Sequence, residues 1–202
     1  MSSEQENNQR QHDRLLLNLP IQAQVGQGEY QDMEVVDISP SGMQIRSESF
    51  DVLNRGFDTQ QNQAEFEIRI SAHLAWVQNS STGDFLTGWE FDRGEEPSAQ
   101  NAEANKAEEK RRHARLEINL PIEAQVGEGS YQEMHVVDIS PSGMQLRVKE
   151  IDPIEGGANA RHIRMVFDIR IEARLAWVQT GNKEEFLTGW EFDIDTGEAR
   201  IG

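Results

Sequence analysis

Phe66-Glu67-Ile68-Arg69-Ile70-Ser71-Ala72-His73-Leu74-Ala75-Trp76 is the stretch on which the fold turns. Apolar side chains alternate with mostly polar ones, so an extended chain carries Phe66, Ile68, Ile70, Ala72, Leu74 and Trp76 on one face. That period marks a strand with one face buried and one in water. Phe85, Thr87, Trp89 and Phe91 alternate in the same way, as do Ile21, Ala23 and Val25. Between such runs, Val25-Gly26-Gln27-Gly28 reads as a hairpin turn. Short strands separated by turn signals imply an antiparallel barrel or sandwich, and no helical period of comparable strength competes.

The same pattern returns 101 positions later. Phe167, Ile169, Ile171, Ala173, Leu175 and Trp177 repeat the first run, and Val126-Gly127-Glu128-Gly129 repeats the turn. Over Arg10–Arg46 against Arg111–Arg147, 27 of 37 positions are identical, and over Leu74–Phe91 against Leu175–Phe192, 12 of 18 are. A unit this long is a duplicated domain rather than a solenoid repeat. Each copy is expected to fold as a barrel of its own, at 9–93 and 110–194. The copies are joined by a polar, alanine-containing tether at 94–109, read as a marginal helix or flexible linker. Tails at 1–8 and 195–202 complete the expected division.

The 202 residues carry 19 basic and 36 acidic side chains, a net charge of −17. That balance argues against coating long nucleic acid, which needs several cations on one face. Cysteine is absent, which excludes disulfides, zinc–thiolate sites and thiol catalysis. No apolar run approaches the ~20 residues that cross a bilayer, and Met1–Gln9 lacks the pattern of a signal peptide. A cytoplasmic protein with no membrane insertion is the expectation.

Two features exceed what a scaffold needs. Arg10 and Arg14 precede the first strand of copy one, although residues 1–101 hold only 6 basic residues against 17 acidic ones. Copy two has Lys110, Arg111, Arg112 and Arg115 in the same place. The second feature is Asp37-Ile38-Ser39-Pro40-Ser41-Gly42, repeated as Asp138-Ile139-Ser140-Pro141-Ser142-Gly143. As a turn, it uses Asp to accept backbone N–H groups, Pro to fix φ and Gly to supply a φ costly for other residues. It can also present Asp and Ser outward as an acceptor and a donor.

Arg10-x-x-x-Arg14 followed by Asp37-x-Ser39-x-x-Gly42 resembles the two-part signature of PilZ domains, and Arg111-x-x-x-Arg115 with Asp138-x-Ser140-x-x-Gly143 resembles it again. Leu74-Ala75-Trp76-Val77 and Gly88-Trp89-Glu90-Phe91 resemble that family's closing strands. The resemblance implies two tandem six-stranded antiparallel barrels, all-β, that bind the second messenger cyclic di-GMP. It also implies that the arginine motif lies on a mobile arm that wraps over the ligand. Residue chemistry agrees. A guanidinium can fork onto guanine O6 and N7 or bond a phosphate, and a carboxylate can accept from guanine N1–H and N2–H. The ligand-binding set is therefore Arg10, Arg14, Asp37, Ser39 and Gly42, with Lys110, Arg111, Arg112, Arg115, Asp138, Ser140 and Gly143. The glycines are expected to let backbone approach closely.

The copies differ in charge: residues 9–15 sum to +1 and residues 110–116 to +4. In the family, a basic residue just before the arginine motif accompanies an intercalated ligand dimer. Lys110 fits and Gln9 does not, so the second site is expected to bind more tightly. An enzyme is disfavoured, because His12, Asp37 and Ser39 come with no oxyanion-site motif. Five histidines without ligand spacing give no metal site. The alternative is a PilZ-like protein–protein docking module with one or both ligand sites inactive. An oligonucleotide barrel is weaker still, because Trp76, Trp89, Phe66 and Phe91 alternate as core residues would. Both halves read as receptor units, so an unidentified downstream effector protein is expected.

Overall fold

The computed structural model describes residues 13–26, 28–48, 63–81, 83–93, 114–149, 164–181 and 185–193. All regular structure among them is β-strand. Copy one supplies β1 (Leu15–Val25), β2 (Gln31–Ser39), β3 (Gly42–Ser47), β4 (Gln63–Asn79) and β5 (Phe85–Phe91). Copy two supplies β6 (Leu116–Val126), β7 (Gln132–Ser140), β8 (Gly143–Val148), β9 (Arg164–Thr180) and β10 (Phe186–Phe192). The expected segments 1–8, 94–109 and 195–202 lie outside the described residues.

The sequence turns fall where the composition put them. Gly26 and Gly127 end β1 and β6 with φ of 57° and 61°, the left-handed region that glycine enters without a Cβ clash. Pro40-Ser41 closes the β2–β3 hairpin with Ser39 opposite Gly42. A bulge between Leu16 and Leu19 interrupts the β1–β2 ladder. Asn18 occupies it at φ 44°, and Asn119 repeats this at 46°; asparagine tolerates that backbone better than most side chains.

Strand pairing corrects the expectation that each copy closes its own barrel. The strands run β1-β2-β3-β10-β9-β4-β5-β8-β7-β6, with further pairings β1–β4 and β9–β6. Two six-stranded rings result. One is β1-β2-β3-β10-β9-β4 and the other is β6-β7-β8-β5-β4-β9, so they share the β4–β9 ladder. Each ring takes its last strand from the other copy: β10 pairs with β3, and β5 pairs with β8. The physical reason is the length of β4 and β9. At about 3.3 Å per residue, 17 residues run well beyond the usual strand of a small domain. The first half of β4 pairs with β1 and its second half with β5, so β5 is delivered to the far ring.

The cores are correspondingly mixed. Phe66 of copy one meets Trp190 of copy two edge to face, with ring centroids 4.7 Å apart, and Trp89 meets Phe167 in the same way at 4.6 Å. Each buried indole N–H needs a partner. Trp89 Nε1 donates to Thr87 Oγ1 and Trp190 Nε1 to Thr188 Oγ1, both at 2.8 Å. The threonine hydroxyls donate onward to Leu146 O and Ile45 O across the exchanged pairings.

Trp76 departs from the expected core. Leu74 lies opposite Trp89, but a bulge follows and Trp76 lies opposite Gly88. The extra residue turns Trp76 onto the outer face, where it is half-buried with its indole over Gly88. Phe66, Trp89 and Phe91 are buried as expected.

At the centre of β4–β9, Ile68 pairs with Ile169, its own counterpart in the repeat. A local two-fold axis therefore passes through this pair. On either side, Arg69 Nε donates to Asp168 Oδ1 at 2.7 Å and Arg170 Nε donates to Glu67 Oε2 at 3.3 Å. Tyr30 donates to Glu67 Oε1 at 2.5 Å. The guanidinium of Arg69 lies 4.2 Å from the Tyr30 ring centre, and that of Arg170 lies 3.6 Å from the Tyr131 ring centre.

Candidate functional site

The β2–β3 hairpin sets the geometry of the first motif. With Ser39 opposite Gly42, antiparallel register brings Gln44 opposite Asp37. β1 runs along the other edge of β2 and sets Leu16 opposite Asp37, which brings Arg14 to the same place. Arg14 Nη1 donates to Asp37 Oδ1 at 2.7 Å. With its amide oxygen turned toward Arg14, Gln44 accepts from Arg14 Nη1 and donates to Asp37 Oδ2, each at 3.1 Å. The second copy repeats the pair: Arg115 Nη1 donates to Asp138 Oδ1 at 2.8 Å, with Gln145 opposite Asp138.

Sequence and structure thus bring Arg14 together with Asp37, and Arg115 together with Asp138. The expectation of a mobile arm does not apply to the last residue of the motif, Arg14, which is anchored on Asp37. Arg10, Lys110, Arg111 and Arg112 lie outside the described residues. Arg14 is 34% exposed and its partner 15%; for Arg115 and Asp138 the values are 52% and 14%. The carboxylates are therefore largely screened from bulk water while the guanidiniums reach into it. That arrangement strengthens a charge-assisted bond and keeps a donor face open.

Ser39 and Ser140 are fully buried rather than presented outward. Ser39 Oγ donates to Gly42 O at 3.2 Å and Ser140 Oγ to Gly143 O at 3.1 Å. Their hydroxyls close the turn that carries Asp37 and Asp138. Gly42 and Gly143 are also not used as a turn reading suggests, since neither has a positive φ. A Cβ on Gly42 would lie 2.1 Å from Trp190 O, and one on Gly143 2.0 Å from Trp89 O. The close approach that these glycines permit is that of the exchanged strand. Phe192 N donates to Ser41 O and Phe91 N to Ser142 O, so each motif turn is braced by the other copy.

Gln44 and Gln145 were not among the sequence candidates. The signal was available: a two-residue hairpin closed at Ser39 and Gly42 places residue 44 across from residue 37. A separate groove is lined by Glu65, Glu123, Glu133, Glu172 and Asp193 around Arg170. Its carboxylates make it a poor host for an anion, and none of the motif residues lines it.

The model of the PilZ domain matches the chain at residues 8–104 and again at 109–201. The chain belongs to the PilZ family. Both matched PilZ segments contain a complete arginine motif and a complete Asp-x-Ser-x-x-Gly motif. No curated protein matches the chain. Among solved structures, the Borreliella burgdorferi PlzA protein in complex with c-di-GMP is similar at 14% identity, over 90% of this chain and 87% of that one. Its TM-score of 0.22 is too low for that likeness to bear on this PilZ fold.

Proposed function

We propose that this PilZ protein is a receptor for cyclic di-GMP with one site at each Asp-x-Ser-x-x-Gly turn. The observation that carries this reading is the guanidinium–carboxylate pair beside the turn, built twice in the same geometry within a PilZ chain. Each Asp oxygen keeps acceptor capacity beyond its one bond to Arg or Gln, enough for guanine N1–H and N2–H. Arg14 and Arg115 offer further N–H donors to guanine O6 and N7 or to a phosphate. Arg10, Lys110, Arg111 and Arg112 supply the remaining cations from the arms. Ser39 and Ser140 act through the turn, and Gly42 and Gly143 act through the strand beneath it.

Binding neutralises the arms and pins them beside β1 and β6. The ordered arms then form or cover a surface for a downstream effector protein. The protein is not an enzyme in this reading; it acts in the cytoplasm, and neither long nucleic acid nor a bilayer is its partner. Among the described residues no helix is long and apolar enough to cross a membrane.

Calorimetric titration tests the reading. Cyclic di-GMP should bind, while GTP and cyclic di-AMP should not. Asp37→Ala and Asp138→Ala should each remove one class of site. No heat with cyclic di-GMP would end the proposal. The charge difference between the arms predicts a larger loss for Arg111→Ala than for Arg10→Ala, and equal losses would remove the asymmetry.

A further inference from the structure

We infer that the first copy supplies a further arginine, Arg93, to the site of the second copy; this rests on the cyclic di-GMP reading above. β1 and β5 share one edge of β4. β1 pairs with Arg69–Phe66 and β5 with Ala72–Asn79, and Asp92 N donates to Ser71 O where the two part. Arg93 follows at this fork. Its Nη2 donates to Pro141 O, at the apex of the Asp138–Gly143 turn, and to Leu17 O at 3.3 Å. Leu17 lies in the β1 bulge, where the β1–β2 ladder gives it no cross-strand partner. The guanidinium is thus held by two backbone carbonyls through one nitrogen.

Arginine carries five N–H donors in a fixed plane. Those on Nη1 and Nε are not used by these two bonds, and Arg93 is an exposed residue. The geometry puts a cation from copy one on the same turn that carries Asp138, on a protein otherwise crowded with carboxylates. Adjacent charge dominates over ~8 Å at physiological salt, so Arg93 favours an anionic ligand at this turn. The repeat makes the feature one-sided: the residue 101 positions later is Ile194, which has no donor. The second site therefore owes part of its advantage to a residue of the first copy.

The test uses the full chain carrying Asp37→Ala, which leaves the second site as the one titrated. Adding Arg93→Ala should weaken cyclic di-GMP binding about tenfold, with the ligand-free melting temperature little changed. Arg93→Lys, which keeps the charge and loses the planar fork, should recover part of the affinity. Unchanged affinity in Arg93→Ala would overturn the inference. So would a weaker site that tracks a lowered melting temperature in both variants, because Arg93 would then only brace the fork. If the Asp37→Ala protein and wild type both fail to bind cyclic di-GMP, the functional reading itself falls, a result told apart before Arg93 is changed.

Discussion

At Gly42 a hydrogen in place of a methyl group decides whether β10 can reach β3. The atoms that a Cβ would meet belong to the Trp190 carbonyl, part of a hydrogen-bonded strand and not a movable side chain. Gly42→Ala should therefore destabilise the protein by about 2–3 kcal/mol, seen as a lower midpoint in urea. An unchanged midpoint would mean that β10 does not lie there. Ser39→Ala tests the turn by a different route. It leaves the Gly42 carbonyl without its buried donor, at a cost of about 1–3 kcal/mol. It should also weaken ligand binding less than Asp37→Ala does, because Ser39 shapes the turn without meeting the base. Equal losses of affinity from the two would return Ser39 to the contact set. The Asp-x-Ser-x-x-Gly spacing was legible as a turn and as a motif. What it could not reveal was that the glycine answers to a strand 148 residues away, at Trp190.

Among the elements, the strands were legible because half-burial writes period two into the chain, and most of the core positions follow. Two things escaped. The bulge after Leu74 reverses the alternation, so Trp76 falls outside although its spacing matches the core. The partners of β5 and β10 escaped for a simpler reason: both strands read Phe-Leu-Thr-Gly-Trp-Glu-Phe, so pairing within a copy and across copies uses identical side chains. The β4–β9 ladder makes its own pH prediction. Hydrogen bonding from Tyr30 holds the Glu67 carboxyl below its ordinary 4.5, against the opposing effect of burial. A lowered folded-state pKa means stability that is present above the unfolded value and lost as pH falls through the folded one. For Tyr30, burial and then the bond to Glu67 raise the phenol above its ordinary 10. Its contribution is present below pH 10 and lost on further rise through the folded value. Urea midpoints should thus fall on both sides, and Glu67→Gln should flatten the decline below pH 4.5. A decline equally steep in that variant would assign it to other carboxylates.

For the whole molecule, interleaving makes the two copies one cooperative body. Phe66 packs on Trp190, Trp89 packs on Phe167, and β4 pairs with β9 from Gln63–Arg174 to His73–Arg164. None of these contacts depends on the peptide between 94 and 109. A protease site placed in that segment should therefore be cuttable without separating the halves. After cleavage, the two pieces should co-elute in size-exclusion chromatography at the volume of the uncut 202-residue chain. They should part only in denaturant, and heating before cleavage should give a single transition. Two barrels each closed within its own copy would behave otherwise: the cut pieces would elute separately and hold their folds. The distinction bears on signalling. If ligand binds at these turns as proposed, it would press on a strand of the other copy, because Phe192 N holds Ser41 O and Phe91 N holds Ser142 O. A site disabled in copy one should then alter hydrogen exchange at Phe192 of copy two. In separately closed barrels, that amide would exchange at its wild-type rate.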